Sequence, residues 1–203
     1  MITKNHSSKF AESPPFLDIK ATEASVFFKN LQLVLTYGVH DTFLGECWIV
    51  ICEKEIFGAG FQGTKGLSSF LQKQKKKNKS ITLVEDSSVT LPYLKKILEL
   101  FKDSSRNTSL PLLLVGSPFQ LKVWQTLLEI PKGKTVSYQD IALKIAAPQS
   151  MRAVGNAVGQ NPVSLLVPCH RVIQKNGALG GFLWGSSLKK KLLALEQEQT
   201  CSQ

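Results

Sequence analysis

Asn161-Pro162-Val163-Ser164-Leu165-Leu166-Val167-Pro168-Cys169-His170-Arg171-Val172 is the stretch on which the reading of this sequence turns. An apolar run that stops at Pro-Cys delivers a thiol to the edge of a buried segment. A His and an Arg beside it are groups able to stabilise a thiolate at neutral pH. The pattern is that of a reactive cysteine, set against the commoner fate of a lone Cys, a buried inert thiol. A thiol protease fits less well, because its His lies far from its Cys in sequence and no protease signature surrounds this Cys.

Upstream, the residues from Pro118 read as helices. Phe119, Val123, Trp124, Leu127 and Leu128 recur at spacings of three and four, a core-facing stripe that Pro131 and Gly133 stop. Ser137 is an N-cap for a short helix through Tyr138, Ile141, Ala142 and Ile145. After the turn Ala147-Pro148-Gln149-Ser150, a second helix runs from Met151 to Gln160, and Gly159 and Asn161-Pro162 end it. Two short helices around a tight turn form a helix-turn-helix pattern. In the second helix Ala153, Gly155, Ala157 and Gly159 are small and Arg152 is the only full charge. Small residues let a backbone come close to another helix or to a nucleic-acid groove, and Arg152 favours the groove.

The N-terminal half reads differently. Residues 1–25 are expected to be a loose tail, since Ser, Pro and charges mix there without a sustained period. Leu31, Leu33 and Leu35 alternate with other residues, and Glu46 to Cys52 and Ile56 to Phe61 suit strands, which together predict an antiparallel meander. Lys73 to Lys79 is a dense basic run, read as a solvated helix end or loop, with a nuclear address or a nucleic-acid contact as the alternative. Ile81 to Val84 is a short strand, and Leu91 to Phe101 is a helix with an early Pro92. Lys102 to Thr108 breaks every pattern and is read as a linker into Leu110 to Val115. The division expected is 1–110 and 111–203.

A chain of 203 residues suits two small domains. With 43% hydrophobic and 20% charged residues, it is neither disordered, fibrous nor collagen-like. No apolar run reaches the roughly 18 residues of a membrane span, and residues 1–20 lack the apolar stretch of a secretory signal. The expectation is an intracellular protein. A net charge of +10 attracts a polyanion, nucleic acid first and an acidic membrane surface second. Divided at Gly116, the charge is +4 before and +6 after, so the shorter part is the more basic. Cys47, Cys52, Cys169 and Cys201 make neither a zinc ribbon nor a dense disulfide framework. Cys47 and Cys52, five apart in a strand, point to opposite faces, and His40 adds no zinc spacing.

The Pro168-Cys169-His170-Arg171-Val172 block, preceded by Asn161-Pro162 and Arg152-Ala153-Val154-Gly155, resembles the active-site block of the O6-alkylguanine-DNA alkyltransferases, the methylated-DNA–protein-cysteine methyltransferase family. The resemblance runs from Ser117-Pro118-Phe119-Gln120 through Val136-Ser137-Tyr138 to Leu192-Leu193-Ala194-Leu195-Glu196, about 80 residues in the same order and spacing. The N-terminal half is similar only loosely, around Thr42-Phe43-Leu44-Gly45 and Glu46 to Phe61.

The resemblance implies an α/β + α fold, with an N-terminal ribonuclease-H-like α/β domain followed by a mainly helical domain carrying a helix-turn-helix. It implies transfer of the alkyl group of O6-alkylguanine, and of O4-alkylthymine, in double-stranded DNA to Cys169. The product is a thioether, so the turnover is single. His170 would be the base acting through a water, with Glu196 orienting it, and Asn161 would hold the turn. Arg152 would fill the space of an extruded base, with Ala153, Gly155 and Ala157 in the minor groove. Tyr138 would help rotate the nucleotide and contact the guanine, alongside Val172, Phe182, Leu183 and Trp184. No metal or organic cofactor and no membrane is implied, and the chain would act as a monomer. It would act in the bacterial cytoplasm at the nucleoid, or in a eukaryotic nucleus.

Two residues depart from the family pattern. Phe182 stands where members commonly have Tyr, which predicts slower transfer. Trp184 stands where many have Gly, which predicts a narrowed pocket and poor reaction with O6-benzylguanine. The competing readings are a DNA-binding module without chemistry and a cysteine hydrolase with turnover.

Overall fold

β-Branched and aromatic segments in the N-terminal half build one six-stranded sheet in the computed structural model, which describes residues 10, 11, 14, 17–29, 32–103 and 109–201. The strands are β1 (Leu17–Glu23), β2 (Val34–Thr42), β3 (Gly45–Cys52), β4 (Glu55–Phe61), β5 (Thr82–Glu85) and β6 (Leu110–Gly116), in the order β1-β6-β4-β3-β2-β5. The expected meander is present: β2 pairs antiparallel with β3 from Leu35↔Cys52 to Thr42↔Gly45, and β3 pairs antiparallel with β4. The other pairings, β5 on β2, β6 on β4 and β1 on β6, are parallel. Leu31, one of the residues behind the first strand expected, lies outside the described residues.

A four-residue helix α1 (Ala24–Phe27) follows β1, and two long helices, α2 (Gly63–Lys77) and α3 (Ser87–Lys102), pack on the sheet. Helix α2 buries Gly66, Leu67, Leu71 and Gln74. Its Phe70 ring lies 4.9 Å from Trp48 and 5.8 Å from Phe57, centroid to centroid. Gly58 makes this approach possible, since a Cβ there would sit 2.5 Å from Phe70 Cζ. Helix α3 starts at Asp86, whose carboxylate accepts from Ser88 N and Val89 N. Pro92 is the sixth residue of this helix, past its first turn, so it forgoes the N–H bond that residue 92 would make to Ser88 O.

Three expectations from the sequence are corrected. Residues 17–25 are not a tail: Leu17–Glu23 pairs along its whole length with β6, and its exposed Asp18, Lys20 and Glu23 are the charges that suit an edge strand. Those same charges hid its period. Lys102 is the last residue of α3 and Asp103 its C-cap, while 104–108 of the expected linker lie outside the described residues. A division at residue 110 cuts through β6, a sheet strand whose Leu110, Leu112 and Leu114 are buried.

By contacts the chain divides into Pro15–Leu121 with Pro162–Leu166, and Met1–Pro14 with Lys122–Asn161 and Val167–Gln203. The short Pro162–Leu166 piece joins the sheet unit because Ala59 N donates to Pro162 O and Ser164 N to Ala59 O. The helical unit contains most of α4 (Pro118–Leu128), a two-strand sheet of β7 (Val136–Ser137) and β8 (Val172–Ile173), and helices α5 (Tyr138–Lys144), α6 (Met151–Gly159) and α7 (Ser186–Cys201). As the stripe predicts, Val123, Trp124, Leu127 and Leu128 of α4 are buried, and the Trp124 indole donates to Ala157 O at 2.8 Å. Among the described residues no helix is long and apolar enough to cross a membrane.

Candidate active site

Pro168 ends the apolar run, and Cys169–Arg171 forms a single 3-10 turn, with Cys169 N donating to Val167 O and Arg171 N to Pro168 O. Asn161 fastens the entry to this turn, its side-chain amide donating to Val167 O at 2.7 Å. Cys169 is 6% exposed, at the edge of the core as the sequence predicts.

His170 and Glu196 have no exposed surface, and His170 Nε2 lies 2.8 Å from Glu196 Oε1 on α7. Burial of a lone carboxylate would be costly. Here it is answered by further donors: Arg171 Nε and Nη2 on the Glu196 oxygens at 2.8–3.2 Å, and Gly133 N on Oε2 at 3.1 Å. Burial alone would raise the Glu196 carboxyl, but the His170 hydrogen bond and then the Arg171 charge outweigh it and hold the group at about 2. Burial lowers the His170 imidazole below its ordinary value, favouring the neutral ring. Arg171 thus differs from the sequence reading. Its guanidinium is engaged by Glu196 and by Ile130 O, so its charge is matched to the carboxylate and not to the thiol.

Tyr138 reaches this site through the two-strand sheet. Parallel pairing of Val136 with Val172 and Ser137 with Ile173 sets the start of α5 beside the segment that follows Cys169. Ser137 and Asp140 form a capping box there, the Asp140 carboxylate accepting from Ser137 N while Ser137 Oγ accepts from Asp140 N. Burial, and then negative charge at Cys169, raise the Tyr138 phenol, so phenol and thiol are within electrostatic reach. Gly180 lies close: a Cβ there would be 3.3 Å from Tyr138 Oη, and its φ of +68° is one few other residues adopt. Gly155 of α6 faces the same ring, its virtual Cβ at 3.9 Å.

The remaining residues separate. Arg152 and Ala153 are exposed on α6 and Gly155 is half-buried, but Ala157 is 3% exposed and packs inward beside the Trp124 hydrogen bond. Its small size serves helix packing, which corrects its expected place on the groove face. The Val172 side chain is buried, and its main chain is engaged as well, the N–H donating to Cys169 O and the carbonyl accepting from Lys189 Nζ. Phe182 and Trp184 are half-buried, and Leu183 is 54% exposed.

Lys189 was not singled out in the sequence. It is fully buried, and its ammonium donates to Val172 O and Leu179 O and lies 6.0 Å from the Phe182 ring centroid. Burial pushes it down to about 8, against the upward pull of charge at Cys169. In the sequence it is one of three consecutive lysines, Lys189-Lys190-Lys191. The signal lay in its spacing, since 189, 192 and 196 share a helix face with buried Leu192 and Glu196.

Among the described residues no group of three or more His, Cys, Asp or Glu could hold a metal. His40 Nε2 instead lies 2.9 Å from Thr90 Oγ1, and Cys47 Sγ 3.3 Å from Thr42 Oγ1.

Comparison with known proteins bears on the whole arrangement. Residues 118–198 match the family model described as the 6-O-methylguanine DNA methyltransferase DNA binding domain. The chain is 40% identical over 152 residues to the inducible methylated-DNA–protein-cysteine methyltransferase of Bacillus subtilis, covering 74% of this chain and 85% of that protein. It is 50% identical over 93 residues to a probable methylated-DNA–protein-cysteine methyltransferase of Acanthamoeba polyphaga mimivirus, covering 46% and 62%. Mycobacterium tuberculosis OGT, solved in complex with DNA, is similar in structure, with a TM-score of 0.66 and 29% identity over 81% of this chain and 94% of that one. The likeness extends through both the sheet and the helical part, and the chain belongs to the methylated-DNA–protein-cysteine methyltransferase family.

Proposed function

We propose that this protein repairs double-stranded DNA by moving the alkyl group of O6-alkylguanine, and of O4-alkylthymine, to its own Cys169. The observation that carries the reading is the buried, hydrogen-bonded His170–Glu196 pair joined to Cys169 by a single tight turn. With Nε2 held by Glu196, the other imidazole nitrogen, Nδ1, exchanges a proton with the thiol through a water. The thiolate attacks the O6-alkyl carbon in line; an S–C bond forms as the C–O bond breaks. The electron pair leaves with the guanine oxygen, and the ring takes up a proton. The thioether cannot be undone by thiol exchange, so each molecule acts once.

Reaction inside a duplex requires the base to leave the stack, at a cost of a few kcal/mol that is smaller for a damaged base. Helices α5 and α6 act as the helix-turn-helix, with Arg152 filling the vacated space, Ala153 and Gly155 in the minor groove, and Tyr138 turning the nucleotide. Val172, Phe182, Leu183 and Trp184 receive the base. The meander β2-β3-β4 with β5 parallel to β2 supports a ribonuclease-H-like N-terminal domain. The chain works as a monomer where DNA is kept, the cytoplasm of a bacterium or the nucleus of a eukaryote.

Intact-mass spectrometry after mixing with a short duplex carrying one O6-methylguanine tests the reading. A gain of one methylene that is absent in Cys169→Ala is expected, at one per chain. Intact DNA binding without the gain would leave a lesion-recognition or regulatory module, and continued product release would make it a hydrolase.

A further inference from the structure

Lys65, Lys73, Lys75, Lys76 and Lys77 lie on α2 and Lys79 just past its end, and the chain has no Asp or Glu between Glu55 and Glu85. Residues 1–116 hold 15 basic and 11 acidic side chains. Without these six lysines, nine basic side chains face 11 acidic ones, so the entire positive excess of that part of the chain sits on one helix and its exit. Solubility asks for interspersed charges, not segregated ones. The helix dipole explains lysines in the last turn only, which leaves Lys65, Lys73 and Lys79 without a reason.

All six side chains are exposed. Among the described residues, Lys65, Lys73, Lys75, Lys76 and Lys79 make no ion pair. The Lys77 ammonium lies 5.3 Å from the Phe28 ring centroid, partly sheltered although the residue as a whole is exposed, and that shelter, and then the charge of Lys73, push it down. The array is therefore self-repelling in the free protein. It is also held rigidly: Gly66, Leu67, Leu71 and Gln74 are buried beneath it. The exit is pinned by Asn78, which donates to Phe28 O at 3.5 Å and accepts from Ser80 N at 2.8 Å. A rigid array gives up less entropy on binding than a tail of the same charge.

We propose that the exposed side of α2, with Lys79, is an electrostatic seat for the phosphate backbone of DNA, additional to the contacts of α6. Lysines are point charges on long stems and suit contact with phosphates irrespective of base sequence. Each phosphate neutralised steepens the fall of log affinity with log salt by about 0.9.

The test compares the full chain with a Lys73→Gln, Lys75→Gln, Lys76→Gln, Lys79→Gln variant binding an undamaged duplex between about 50 and 200 mM salt. A second variant, Lys54→Gln, Lys95→Gln, Lys96→Gln, Lys102→Gln, removes the same charge elsewhere. The α2 variant is expected to lower the salt slope by about two or more and affinity at low salt by about tenfold, with the second variant close to wild type. Equal slopes in all three proteins, or equal losses in the two variants, would overturn the proposal. So would loss of binding to vesicles of anionic phospholipid with the DNA slope kept, which would assign the surface to membrane. Methyl transfer from a duplex carrying one O6-methylguanine, at low salt and saturating duplex, is expected unchanged throughout. Its absence in wild type would sink the proposed function while leaving the slope comparison intact.

Discussion

Glu196, fully buried, gathers His170, Arg171 and Gly133 N, and that concentration of donors makes the site pH-dependent. A carboxyl held at about 2 in the folded chain and near 4.5 in the unfolded one stabilises the fold above pH 4.5 and loses that contribution as pH falls toward 2. The lowered His170 acts in the same direction, since the unfolded ring binds a proton that the buried ring resists. Glu196→Gln is expected to be less stable at pH 7, by an amount on the order of 3 kcal/mol, and to lose less stability between pH 5 and 3; denaturant melts at both pH values check this. Phe182 lies beside the Lys189 ammonium where a Tyr hydroxyl could meet the leaving oxygen. A hydrogen bond of about 1 kcal/mol corresponds to a roughly fivefold faster transfer in Phe182→Tyr, read by single-turnover kinetics. Trp184, half-buried before Gly185 at φ +94°, is bulky where the family resemblance gives many members a Gly. Trp184→Gly is expected to raise the rate on O6-benzylguanine while leaving O6-methylguanine within about twofold, on the logic of pocket discrimination; equal gains on both would refute the narrowed pocket.

Between residues and the whole stand the small elements that deliver side chains to the thiol. Ser137 closes a capping box with Asp140 at the start of α5, and Tyr138 is the first residue of that helix. Losing the cap costs about 1 kcal/mol, here increased because Asp140 is buried and would lose a partner. Ser137→Ala is therefore expected to lower Tm by about 2–4 °C or more and to slow transfer from duplex DNA more than from the free base, measured by calorimetry and quench-flow. The helices α4, α5 and α6 were legible because each carries a local signal: a stripe at three and four, a Ser cap, a Pro or Gly stop. The β7–β8 pairing was not, because two-residue strands have no period and their partners lie 36 residues apart. The face that buries Ala157 was also missed. Small residues alternate along α6, and only its packing against Trp124 separates the inward ones from Ala153.

At the scale of the molecule, the sheet takes strands from distant parts of the chain, and its first strand was the part least visible in sequence. The meander announced itself through Trp48, Ile49, Val50 and Ile51, whose burial on both faces selects continuous apolar residues. Strand β1 meets solvent at Asp18, Lys20 and Glu23 and owes its place to a non-local ladder, Leu17↔Leu110 through Glu23↔Gly116, that no short window can contain. The consequence separates the two descriptions of this segment. A loose tail can be removed at little cost. A paired strand cannot, since its loss leaves the β6 backbone groups on that side without partners and uncovers an edge built from Leu110, Leu112 and Leu114. Deletion of residues 1–23 is expected to lower Tm by about 5 °C or more and to promote association through the uncovered β6 edge, read by calorimetry and light scattering. A truncated chain that melts with wild type and stays dispersed would return the segment to the status of a tail.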